Sequence, residues 1–127
     1  MVFCPKDCLK MKTIALFVKD FQKGTKISEK ILAMNFQVEF VEKIENLSRQ
    51  HLFVIIDLDN KDFANESFIR EIKSISDFFI IGYMSSMVKH SVDTYKKYGC
   101  NLILSGGSLI KNIESLTNEI SNRISPG

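Results

Sequence analysis

The sequence predicts a three-layer α/β sandwich: a five-stranded parallel sheet in the order 2-1-3-4-5, with five helices on its faces. Three observations predict it. Short apolar runs alternate with segments of helical spacing along the chain. Most of those runs are nearly unbroken, as strands covered on both faces require. One run, second in order, alternates in polarity and fits an edge strand. Parallel neighbours need crossover helices, and right-handed crossovers distribute them over both sides of the sheet.

The first strand is "TIALFVKD" (13–20), an apolar run ending in an acid. In the helix after it, Ile27, Ile31 and Met34 share one face at i, i+4, i+7, while Lys23, Lys26 and Lys30 fall on a solvated face. "FQVEFVE" (36–42) sets Phe36, Val38 and Phe40 against Gln37, Glu39 and Val41. A short helix is expected around Ile44–Gln50, then the strand "LFVIIDLD" (52–59). In "FANESFIREIKSI", Phe68, Ile72 and Ile75 have helical spacing. "FFIIGYM" (78–84) is the fourth strand, and "VKHSVDTYKKYG" a helix that Gly99 stops. "NLILS" (101–105) is the fifth strand. Gly106 and Gly107 make a turn, Ser108 caps the last helix, and Leu109, Ile113, Leu116 and Ile120 form its apolar stripe before Pro126 and Gly127.

At 127 residues the chain holds one domain with a genuine core. We expect a loose leader over 1–10 and a single domain over 11–127, with Met11 as an alternative start. Cys4 and Cys8 lie in that leader without further ligands to complete a metal site, and Cys100 reads as a buried thiol. No apolar run approaches the roughly 20 residues that span a bilayer. The opening lacks the three-part pattern of a signal peptide, so the expected location is the cytoplasm and no membrane partner is expected. A net charge of +2, without a basic groove or aromatic platform, argues against nucleic acid. His51 and His90 lack a nucleophile partner and read as surface residues.

Chemistry concentrates at strand ends. In this topology the ligand crevice lies beyond the carboxyl ends of the strands, near the switch between strands 1 and 3. Asp20 closes the first strand; Asp57 and Asp59 close the third, in "DLD". Carboxylates brought together repel unless a proton or cation intervenes, and hard oxygen ligands suit Mg2+.

With those residues in place, the chain resembles the receiver domain of response regulators, the CheY-like fold, from Met11 onward. "VIIDLDNKDFANESFIREI", "VKDFQKGTKI" and "YKKYGCNLIL" carry the resemblance. It implies a flavodoxin-like architecture and a two-component signalling role. Asp57 would be the phosphoacceptor, with Asp20, Asp57 and the backbone of Asp59 around Mg2+. Its partners would be a histidine kinase or a downstream regulator. The family's partner and dimer face, from the fourth helix through the fifth strand to the fifth helix, would include Val88, Tyr95, Tyr98 and the Leu109–Ile120 stripe.

The sequence departs from the family pattern at several points. Lys19 stands at the second acidic position of strand 1. The hydroxyl expected after strand 4 falls on Met84, with Ser85 and Ser86 following as replacement phosphoryl contacts. The lysine expected after strand 5 falls on Gly106 or Ser105, and the aromatic position of strand 5 on Ile103. The expectation is therefore a stand-alone pseudo-receiver: a non-enzymatic interaction domain with a degenerate phosphoacceptor site and no certain cofactor. Two alternatives stand beside it: Mg2+-dependent self-phosphorylation at Asp57, and a small-molecule or anion binder using "SGGS" (105–108) at a helix start.

Overall fold

The computed structural model describes residues 13–124. The expected leader with Cys4 and Cys8, and the terminal Pro126 and Gly127, lie outside the described residues. Strands β1 (Thr13–Phe17), β2 (Gln37–Phe40), β3 (Val54–Asp57), β4 (Ile80–Met84) and β5 (Leu102–Ser105) form one sheet. Its order is β2-β1-β3-β4-β5, and every pairing is parallel. The four helices are α1 (Phe21–Leu32), α2 (Glu66–Ile75), α3 (Lys89–Tyr98) and α4 (Gly106–Ile124).

The predicted helix count of five is corrected to four among the described residues. The segment expected to be a short helix at 44–50 forms only a 3-10 turn, Ile44–Asn46. A helix that short cannot recover its nucleation cost. Its apolar residues instead reach inward singly: Ile44 packs on the core and Leu47 is buried in it.

Strand residues alternate between two apolar layers. Val54, Ile56, Ile80 and Ile103 face α2 and α3, where Phe17, Phe63 and Phe68 make an edge-to-face cluster. Ile14, Leu16, Ile55, Ile81 and Tyr83 face α1 and α4 with Ile27, Ile31, Leu109 and Ile113. The stripe proposed as partner surface on the last helix is thus core. Leu109, Ile113 and Ile120 are buried and Leu116 is half-buried against them. β2 is an edge strand as expected, yet Phe40 on it is exposed and Val41 just beyond it is buried.

Helix ends follow local chemistry. The Asn65 side chain accepts from the Phe68 N–H, capping α2 at 2.8 Å. Gly99 takes φ 137° after α3 and its N–H returns to the Lys96 carbonyl, a conformation L-residues rarely adopt. α1 ends at Leu32, so Met34 lies in the following turn, where it still packs on the core. The start of α4 differs from expectation: Ser105 rather than Ser108 is the cap. Its hydroxyl accepts from the Ser108 N–H at 3.1 Å, and Gly106 and Gly107 form the first helical turn.

Candidate functional site at the carboxyl end of the sheet

β1 and β3 are neighbours, so the turns after them open into the same crevice. Asp20 caps α1, its Oδ1 accepting from the Lys23 N–H at 3.1 Å. Asp57 is the last residue of β3 and is only 5% exposed. Its Oδ1 accepts from the Asp59 N–H at 2.9 Å. Burial pushes the Asp57 carboxyl above its ordinary range. That hydrogen bond and the Lys23 ammonium oppose the shift, while the charges of Asp59 and Asp20 add to it.

Asp59 turns toward strand 4. Its Oδ1 accepts from the Ser85 N–H at 3.1 Å and the Ser85 hydroxyl at 3.2 Å. Its Oδ2 pairs with the Lys23 ammonium at 3.4 Å. Ser85 is therefore brought into the crevice. Ser86 is not: only its carbonyl is engaged, by the Val88 N–H. Met84, at the strand end, is buried.

Two lysines exchange the parts the sequence suggests. Lys19 leaves the site, pairing with Asp62 at 2.9 Å and lying over the Phe63 ring. The Asp62 contact raises its pKa. Lys23, read from sequence as part of a solvated face, is half-buried in the crevice. It sits 5.3 Å over the Tyr83 ring, and its Nζ is 3.9 Å from where a Gly106 Cβ would stand. Lys23 thus brings an ammonium from the first turn of α1 to the side of the crevice where Gly106 follows β5. The Asp20–Lys23 spacing is the signal for this: a cap followed by its N3 residue lies over the strand end.

Tyr83, the β4 neighbour of Asp57 in register, is fully buried. Its hydroxyl feels Asp57, Asp20 and Asp59, and burial together with those charges lifts its pKa far above the tyrosine range. The Asp57 carboxylate is its hydrogen-bonding neighbour, although the contact falls short of a closed hydrogen bond. Among the described residues no three His, Cys, Asp or Glu side chains converge on a point that a metal could occupy.

The other expected residues lie elsewhere. Val88 is 52% exposed at the start of α3. Tyr95 and Tyr98 stack edge-to-face at 5.9 Å and are half-buried, packing on the core and lining a groove with Asn65, Glu66 and His90. Ile103 is buried opposite Gly82. Cys100 is a buried thiol pushed up to about 12 by desolvation, as its inert reading requires. His51 is not a surface residue. It is buried at the opposite end of the sheet, against Glu39.

No protein-family model and no curated protein matches this sequence. Solved structures do match, and they define the class of fold. A CheY-like receiver domain protein from Methanospirillum hungatei aligns with a TM-score of 0.68, over 87% of this chain and 97% of its own, at 12% identity. A pilus assembly-related protein from Burkholderia pseudomallei gives 0.73, over 90% and 92%, at 10% identity. An atypical orphan response regulator, described as revealing a phosphorylation-independent regulatory mechanism, gives 0.61, over 84% and 95%, at 16% identity. The fold of this chain is that of a response-regulator receiver domain. No helix among the described residues is long and apolar enough to cross a membrane.

Proposed function

We propose that this chain is an atypical receiver-like signalling domain, acting in the cytoplasm through contact with a protein partner and without phosphorylation of Asp57. The observation that carries the reading is the bonding of Asp59. The hydroxyl and the ammonium best placed to receive a phosphoryl group, on Ser85 and Lys23, are both held by this one carboxylate of the chain itself.

Charge argues the same way. Asp20, Asp57 and Asp59 face one half-buried ammonium. Converting Asp57 to an acyl phosphate adds roughly another unit of negative charge. Receivers offset that charge with a divalent cation, which stabilises the transferring oxygens. Here Asp20 has one oxygen committed to the α1 cap, and Lys19 stands where a second strand-1 acid would be. Mg2+ demands near-octahedral oxygen ligation. This donor set does not fit it.

The partner-facing surface proposed here begins beside Ser85, at exposed Met87 and Val88, and continues along α3 to Tyr95 and Tyr98. The phosphorylation-independent regulation reported for the orphan regulator of the same fold supports the reading. A second reading, Mg2+-dependent phosphoacceptance at Asp57, draws on Lys23 and Ser85 as substitute handles. One experiment separates the two: incubation with Mg2+ and acetyl phosphate, read by intact mass beside Asp57→Asn. The proposal expects an unchanged mass. A single phosphate adduct that Asp57→Asn loses would overturn it in favour of phosphoacceptance.

A further inference from the structure

The sheet ends at β2, and nothing among the described residues pairs with its outer edge. The Val41 N–H bonds the Leu16 carbonyl, and Leu16 stands opposite Phe40 in register. Alternate residues of a parallel ladder turn both backbone groups to one neighbour, so Val38 and Phe40 turn theirs outward. Open edges are commonly blunted by lysine or proline, and residues 36–41 include neither. The charge they do carry, on Glu39, is turned to His51.

A second observation comes from α1, which runs beside that edge. A Cβ at Gly24 would stand 2.9 Å from the Phe40 ring and 3.6 Å from Val18, so α1 lies over the β1–β2 pair with Phe40 seated on its glycine. Glycine is a poor helix former, and here it admits a ring that is still 54% exposed. On the side of α1 toward the edge, Phe21, Thr25, Ser28 and Leu32 recur at i, i+4, i+7 and i+11, and none is charged. Phe21 is 84% exposed and Leu32 is exposed at the other end of the stripe. Lys26 and Lys30 border α4 on the opposite side, with Ile110. Three large exposed apolar side chains, Phe21, Leu32 and Phe40, thus flank one unpaired edge.

We infer that two copies of this chain associate by antiparallel pairing of β2 about a two-fold axis at Val38, with their α1 helices side by side on one face of the continued sheet. Both surfaces are self-complementary, as an isologous contact requires. Across this axis Phe36 stands opposite Phe40 of the second copy, Val38 opposite Val38, and Gln37 opposite Glu39. Charge selects the register. An axis at Glu39 sets that carboxylate against its own copy, and one at Phe40 sets Val38 against Glu42. The α1 helices come two strand spacings apart, about 10 Å, which is the separation at which helices pack. They run antiparallel, with Phe21 of each toward Leu32 of the other and the small Thr25 and Ser28 between. A peptide strand would pair the edge but leave that stripe uncovered, whereas a second copy covers both. The proposed partner face on α3 packs toward β5, at the opposite edge, and stays free in each copy. The inference goes beyond the interaction reading and does not depend on it.

The test is sedimentation velocity of the full chain from about 1 to about 500 μM, a range that reports weak and moderate dimers alike. The expected result is a reversible monomer–dimer equilibrium that added sodium chloride does not weaken, because no ion pair holds it. Phe21→Lys and Phe40→Lys should each raise the dimer dissociation constant at least about tenfold. Phe21 is too exposed for its substitution to disturb the core, and circular dichroism checks the fold of both variants. Register is read by cross-linking under mild oxidation, against the wild-type background from Cys4 and Cys8. Val38→Cys should form a disulfide between copies, since directly paired Cα atoms lie about 5.5 Å apart. Phe40→Cys, opposite Phe36 of the second copy, should not. A chain monomeric over the whole range, or a dimer that neither lysine variant weakens, would overturn the inference. So would a dimer that Val88→Lys dissolves and Phe21→Lys leaves intact, which would move the contact to α3. Cross-linking of Phe40→Cys in place of Val38→Cys would overturn the pairing.

Discussion

The two ends of the sheet handle buried polar groups in opposite ways. At the amino end His51 and the Ile80 N–H are matched, while the Thr117 hydroxyl, in the second half of α4, is buried without a partner. His51, buried, accepts from the Ser48 N–H through Nδ1 at 2.9 Å and meets Glu39 through Nε2 at 2.6 Å. The Asn101 carbonyl accepts from the Ile80 N–H and from the Lys73 ammonium, which also reaches the Phe78 carbonyl. At the carboxyl end Asp57 is buried against its preference, Asp20 and Asp59 add like charge, and the Tyr83 hydroxyl beside Asp57 closes no hydrogen bond. One end is organised for stability. The other holds unfavourable groups together, which is where a protein's function is sought.

If this contrast is right, variants at the amino end should lose stability and those at the carboxyl end should not. His51→Ala is the largest expected effect. It removes a buried ring and orphans its partners, and should cost roughly 3 kcal/mol in denaturant unfolding. A loss well under about 1 kcal/mol would show that the amino end is not the anchor described. Asn101→Ala should follow at about 1–2 kcal/mol, because it strips the acceptor from the Ile80 N–H.

Asp57→Asn should act in the other direction, stabilising the protein at neutral pH. The folded state raises the Asp57 pKa, so it binds that proton more tightly than the unfolded chain does. Stability from this group is full below the ordinary value of 3.8 and is lost as pH rises through the raised value. Thermal melts from pH 3 upward should show this decline in the wild type and a flatter curve in Asp57→Asn. Equal slopes would contradict the burial argument. Lys23→Gln is the smallest effect, within about 0.5 kcal/mol, since its pair with Asp59 is long and a third exposed. A larger loss would make Lys23 a structural residue.

The architecture was legible because apolar strands and their spacing are local signals. The strand order followed from the wetter second strand, and Asp57 from its place at the end of "VIID". What escaped depends on contacts between distant residues. His51 is buried because Glu39, twelve positions earlier on the edge strand, supplies its partner. Periodicity sets Lys23 off the apolar face of α1, but it does not say that the N3 position of a capped helix overhangs the strand ends. The partner of Asp59 was hidden for the same reason: the Ser85 hydroxyl meets it only because β3 and β4 are neighbours. The second helix failed on length alone. "KIENLSRQ" has helix-forming residues but room for only one turn before Leu47 is drawn inward.

The central claim is that the chain's own lysine, and not a divalent cation, balances the acids of the crevice. A Mg2+ titration followed through the amide resonances of Asp57, Asp59 and Ser85 tests it most directly. The account predicts no saturable shift through several millimolar Mg2+ (a working range for exposed carboxylate sites), in the wild type and in Asp57→Asn alike. Saturable binding in the wild type that Asp57→Asn abolishes would contradict it.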